Sequence, residues 1–197
     1  MSSLPQAVPI QPPLVAAAGR GGSDPVQLAG SGEGTSKKQR DLVEEIKTAG
    51  GWVSLYVSAP PLLCRLLGDD LFLEVTETEL SGSTVSDAML EHIGVLAQLH
   101  TLILGYTKLS DVGVQHIKGL TQLRRLDLCH TKVSGAGLEN LARLRWLNLD
   151  GTQLRDPELE HLKGLPQLET LLLSGTKVTD AGVADLQKAL PKTHIVR

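Results

Sequence analysis

Three histidines, His92, His116 and His161, recur at one position of a repeating pattern, with Asn140 and Asp185 at the same position in other copies. Recurring imidazoles could bind a metal ion. Here they fall between two apolar positions of an amphipathic helix, on its solvent side. Neighbouring helices sit about 10 Å apart, too far for two rings to share one ion easily. No metal site is expected. The acidic set Asp69, Asp70, Glu74, Glu77 and Glu79 lacks the spaced ligands and central glycine of a calcium loop and is expected to be a solvated edge. The two cysteines, Cys64 and Cys129, share no CxxC spacing and are expected to be free thiols. The run GSGEGTSKK at residues 30–38 lacks the Gly-Lys-Ser/Thr order of a phosphate loop, and no strand precedes it. No GxSxG or HExxH occurs. The sequence therefore names no catalytic residue, no metal ligand and no cofactor.

A different chemistry is carried by Arg125, Asp127, Trp146, Asn148 and Asp150. Tryptophan and arginine are the residue types that anchor protein interfaces. An arginine beside an indole can also stack on it. Aligned copies of the repeat put Arg125 beside Trp146, Asp127 beside Asn148, and Cys129 beside Asp150 on one face of a sheet. These five residues are the candidate partner-binding set. Asp127 and Asp150 as a metal pair is disfavoured, because no histidine joins them on that face.

The elements that must position these residues are repeats. Five registered copies run ELSGSTVSDAMLEHIGVL from Glu79, ILGYTKLSDVGVQHIKGL from Ile103, DLCHTKVSGAGLENLARL from Asp127, NLDGTQLRDPELEHLKGL from Asn148 and LLSGTKVTDAGVADLQKAL from Leu172. Leu102, Leu126, Leu147 and Leu171 are spaced 24, 21 and 24 residues apart, and Ile195 follows after another 24. This period with an LxxLxL core marks leucine-rich repeats. Each leucine pair (Leu102/Leu104 and its equivalents) alternates into the core as a short strand does. Thr107, Thr131, Thr152 and Thr176 form a hydroxyl column expected to bond the backbone of neighbouring turns. Asp87, Asp111, Asp156 and Asp180 precede helical patterns and are expected as N-caps. In the third copy Gly135 replaces that aspartate, and three residues are missing between Leu141 and Leu144. That copy is expected to have a weaker cap and to lose about one helical turn.

Before the repeats, residues 1–35 are rich in Pro, Gly and Ser without apolar periodicity, and are expected to be a disordered tail. Residues 36–75 carry a helix with a capping-box start at Ser36, a strand at residues 52–57, and a second short helix at residues 60–68. They are expected to cover the first repeat layer, because an open solenoid end exposes its core. Residues 76–197 hold about five repeats plus a terminal strand. The expected fold is an α/β leucine-rich repeat solenoid, a short horseshoe arc with a parallel concave sheet, convex helices and an N-terminal α/β cap.

The TKVTDAG and LEHLKGL steps, the ending LQKALPKTHIV, the Gly50-Gly51-Trp52-Val53 strand start and residues 61–70 resemble bacterial leucine-rich repeat proteins of the planctomycete type. The repeats are also similar to those of F-box leucine-rich repeat adaptors. The resemblance covers roughly residues 38–197, and what it implies is a binding scaffold. The 21-residue third copy departs from the pattern.

The formal charge of −3 gives no bulk electrostatic reason to expect nucleic acid or an anionic membrane. No apolar run approaches the ~20 residues of a membrane helix, and no secretory signal is evident. The expectation is a monomeric, cytoplasmic, non-catalytic scaffold that binds a protein partner through its concave face. The alternatives are a substrate-recognition adaptor of a ubiquitin-ligase-like complex docked through residues 36–75, and an enzyme of unknown type.

Overall fold

The structure, a computed structural model, describes residues 35–57 and 73–197. The tail apart from Thr35, the expected helix at residues 60–68, Cys64, Asp69 and Asp70 lie outside the described residues. Helix α1 (Thr35–Thr48) buries Leu42, Val43 and Ile46 on one face. It ends at Gly50, whose φ of +86° suits a residue without Cβ, and the Gly51 N–H returns to the Ile46 carbonyl at 2.9 Å. Strand β1 (Trp52–Val57) then pairs antiparallel with β2 (Leu73–Glu79).

From β2 onward every pairing is parallel. Strands β3 (Thr101–Ile103), β4 (Arg125–Asp127), β5 (Trp146–Asn148), β6 (Thr170–Leu172) and β7 (His194–Val196) follow in chain order. With β1 and β2 they make one open seven-stranded sheet. Leu102, Leu126, Leu147 and Leu171 stand in register and are fully buried, as are Leu104, Leu128, Leu149 and Leu173. Truncating a leucine of such a column to alanine costs roughly 2–5 kcal/mol. Thr78 pairs with Leu102 at the head of the first column. It is 1% exposed, and its hydroxyl has no hydrogen-bond partner among the described residues.

The hydroxyl column is present, but its bonds stay within each repeat. Thr107, Thr131, Thr152 and Thr176 donate to the carbonyls of Leu104, Leu128, Leu149 and Leu173 at 2.6, 2.6, 2.7 and 2.7 Å. Each hydroxyl thus closes its own turn, and at Leu149 and Leu173 the same carbonyl also accepts the threonine N–H, at 3.2 and 3.3 Å.

The convex side carries helices α2 (Asp87–Ile93), α3 (Asp111–Ile117) and α4 (Asp180–Ala189). Between α3 and α4 lie two 3-10 segments, Leu138–Asn140 and Asp156–Gly164. The irregularity is thus wider than the sequence predicts. The shortened third copy keeps a single 3-10 turn, and the fourth is 3-10 throughout. Their inward residues Leu138, Leu159 and Leu162 are buried all the same.

The aspartates are not caps. Ser86, Ser110 and Thr179 occupy the N-cap positions, and each aspartate is the first helical residue. The carboxylates of Asp87, Asp111 and Asp156 reach forward into the next repeat instead, and Asp180 pairs with Arg197. Asp87 accepts from the Ser110 N–H and hydroxyl at 3.0 and 2.6 Å. Asp111 accepts from both groups of Ser134 at 2.7 and 2.8 Å, and Asp156 from both groups of Thr179 at 2.7 and 2.6 Å. Each carboxylate therefore satisfies a backbone N–H of the turn leading into the next convex segment and ties two repeats together. The approach is close: a Cβ on Gly113 would sit 2.5 Å from Asp87 Oδ1, and one on Gly182 would collide with Asp156 Oδ1.

This clasp is absent at one junction. Gly135 has no carboxylate to offer, and the position that would receive it is Arg155. Glu158 of the same segment accepts the Arg155 N–H at 3.0 Å, so that donor is satisfied locally. Among the described residues no carboxylate-to-backbone bond of this kind links the third and fourth convex segments, which meet instead where His161 Nδ1 lies 3.6 Å from Glu139.

Candidate functional site: the concave sheet

The period of the repeat and the pleat of the strands together decide what faces outward. Leu126 and Leu147 point inward, so Arg125, Asp127, Trp146 and Asn148 point outward on adjacent strands. The register pairs Arg125 with Trp146 and Asp127 with Asn148, as the sequence alignment predicts. The Arg125 Cζ lies 3.8 Å from the centroid of the Trp146 ring. Asn148 Nδ2 donates to Asp127 Oδ2 at 3.2 Å. Asp127 Oδ1 accepts the Cys129 N–H at 2.9 Å, and Asn148 Oδ1 accepts the Asp150 N–H at 2.9 Å. Asp150 Oδ1 in turn accepts the Ser174 N–H at 2.5 Å. Two strands of three residues thus carry four of these side chains, and Asp150 follows two residues after Asn148. Arg125 is exposed, and the other four are half-buried.

Cys129 stands among these groups. Burial, a hydrogen bond to Asp127 and the negative charges of Asp127 and Asp150 push its thiol up to about 12. A thiol held in its protonated form is a poor nucleophile at neutral pH.

Sequence reasoning missed one feature beside this set. His130, which shows no partner in sequence, stacks on Tyr106 with ring centroids 4.6 Å apart and planes 20° apart. Both residues have positive φ, 59° at Tyr106 and 53° at His130. Equivalent positions in the other repeats are Gly82, Gly151 and Gly175, and that contrast was the available signal.

Two histidines of the convex column, His92 and His161, lie beside carboxylates of neighbouring elements. His92 Nδ1 lies 3.0 Å from Glu45 on α1, and His161 Nδ1 lies 3.6 Å from Glu139. The first pair edges an acidic recess of about 690 Å³ between α1 and α2, lined also by Asp41, Glu44 and Met89. Among the described residues no group of three or more His, Cys, Asp or Glu is placed to hold a metal ion. Among them, too, no helix is long and apolar enough to cross a membrane.

A parallel sheet built one strand per copy, backed by one convex segment per copy, defines a repeat solenoid. Residues 97–154 match the leucine rich repeat family, and the fold is of leucine-rich-repeat type. No curated protein matches the chain. Among solved structures, the ectodomain of the receptor kinase SOBIR1 from Arabidopsis thaliana is 22% identical with a TM-score of 0.50, covering 81% of this chain and 91% of its own. An internalin from Listeria monocytogenes is 31% identical with a TM-score of 0.48, covering 54% of this chain and 30% of its own. A leucine-rich repeat protein from Leptospira interrogans is 23% identical with a TM-score of 0.45, covering 54% and 27%. The chain thus spans under a third of the length of the two bacterial proteins, and the likeness to the plant ectodomain shows the fold.

Proposed function

We propose that this protein is a non-catalytic interaction scaffold that binds a protein partner through its concave sheet, with Arg125, Asp127, Trp146, Asn148 and Asp150 as the contact set. Solenoids of this type present extended concave surfaces suited to protein binding. The observation that carries the reading is the Arg125–Trp146 pair, a cation 3.8 Å over an indole at outward positions of two adjacent strands. Such a contact contributes about 0.5–1 kcal/mol at an exposed site and holds both side chains in place before a partner arrives. Anchors fixed in advance lose less entropy on binding. In this reading the protein acts as a monomer in the cytoplasm. The finer resemblance to planctomycete-type repeat proteins and to F-box-linked repeats supports the same non-catalytic role.

The test is affinity purification with the native chain and with the Arg125→Ala, Trp146→Ala double variant, after circular dichroism has established that both fold. The double variant is expected to lose partner proteins that the native chain retains. Identical recovery by both would overturn the assignment of these residues.

A further inference from the structure

Gly82, Tyr106, His130, Gly151 and Gly175 form one column at the exit of the strands. The Gly82 N–H bonds to Gly105 at 2.8 Å, Tyr106 to Cys129 at 2.8 Å, His130 to Asp150 at 2.7 Å and Gly151 to Ser174 at 2.8 Å. Every member has positive φ, a conformation that glycine adopts freely. For an L-residue with a side chain it costs about 1–2 kcal/mol. Two positions nonetheless carry rings, and burial does not offset that cost at Tyr106, which is 65% exposed. Strained backbone bearing an exposed aromatic points from structure toward function.

The stack has one closed end and one open end. Toward the C-terminal repeats, the His130 ring lies against Gly151, where an added Cβ would collide with its Nδ1. Toward the N-terminal repeats, a Cβ on Gly82 would meet nothing within 4 Å. Strands in a sheet are spaced about 4.8 Å apart, close to the spacing of stacked rings. The place above Gly82 is therefore the next step of the stack, against the free face of Tyr106. The nearest outward strand positions are Glu79 on β2 and Ile103 on β3, and Glu79 Oε1 accepts the Ser81 N–H at 3.0 Å, next to Gly82.

We propose that this open step takes an arginine side chain of a protein partner, its guanidinium flat on the free face of Tyr106 and its charge complemented by Glu79. A guanidinium is planar, weakly hydrated and able to stack on aromatic faces. The same face already holds one such arrangement within the molecule, Arg125 over Trp146. A neutral aromatic group would stack but gain nothing from the Glu79 carboxylate. The proposal extends the concave-face reading to its rim, and its test uses its own probe.

The test is selection of a random-sequence displayed peptide library on the full chain, on Tyr106→Gly and on Gly82→Asn. Glycine is the residue that other repeats carry in this column, so Tyr106→Gly removes the ring without adding strain. Asparagine tolerates positive φ and fills the open step. Peptides retained by the native chain are expected to be enriched several-fold in arginine over lysine. That enrichment is expected to vanish on Tyr106→Gly and to fall on Gly82→Asn. Enrichment in aromatic residues instead, arginine enrichment that survives Tyr106→Gly, or no retained peptides would overturn the proposal. On the Arg125→Ala, Trp146→Ala double variant the enrichment is expected to persist, so the slot and the central pair are judged separately.

Discussion

Asp156 and Thr179 lie one repeat apart, and the carboxylate of the first accepts both the backbone N–H and the hydroxyl of the second, at 2.7 and 2.6 Å. The hydroxyl bond, then the N–H bond, hold Asp156 below the usual carboxylate range. A folded-state pKa that is depressed adds stability above the ordinary aspartate value of about 3.9, and that stability is lost as pH falls through the folded value. The native chain should therefore exceed Asp156→Asn in stability at neutral pH, and the difference should shrink below about pH 4. Urea midpoints of both proteins at neutral and acidic pH check this. A difference independent of pH would contradict it.

The missing clasp between the third and fourth convex segments makes a second expectation. Opening free energies vary along a chain with local bonding and burial. With Gly135 and Arg155 in place of the Asp and Ser/Thr pair, amides of residues 138–164 should exchange with deuterium faster than those of α4. Hydrogen-exchange mass spectrometry reads this directly. Equal protection across the two regions would show that the sheet alone fixes the convex side.

Thr78 offers a stabilising change. Its hydroxyl is buried at the head of a leucine column without a hydrogen-bond partner among the described residues. Burying an unpaired hydroxyl costs roughly 1–3 kcal/mol, and valine has nearly the same shape. Thr78→Val should raise the urea midpoint by the equivalent of about 1 kcal/mol. A lowered midpoint would mean that the hydroxyl has a partner in the folded protein.

The repeat period made much of this legible. Once Leu102, Leu126, Leu147 and Leu171 are aligned, the inward and outward positions follow from the pleat, so the Arg125–Trp146 register could be derived without coordinates. The aspartates were misread because a local pattern, Asp before a helix, fits a cap as well as it fits a clasp. Only the recurrence of Asp with Ser or Thr 23 residues later, at Asp87/Ser110, Asp111/Ser134 and Asp156/Thr179, separates the two. The fourth convex segment carries a good apolar stripe, yet it is 3-10, because stripe positions do not distinguish i+3 from i+4 bonding over so short a length. The Tyr106–His130 stack escaped notice because neither residue has an unusual sequence neighbour. What sets them apart is the glycine at that position in the other repeats.

The central claim, that the concave sheet is the binding face, is tested most directly by site-specific photo-cross-linking in cells. A photoreactive residue replaces Asn148 on the concave side or His116 on the convex side, in otherwise native chains. The account predicts discrete cross-linked adducts from position 148 and none from position 116. Adducts from position 116 with none from position 148 would contradict it.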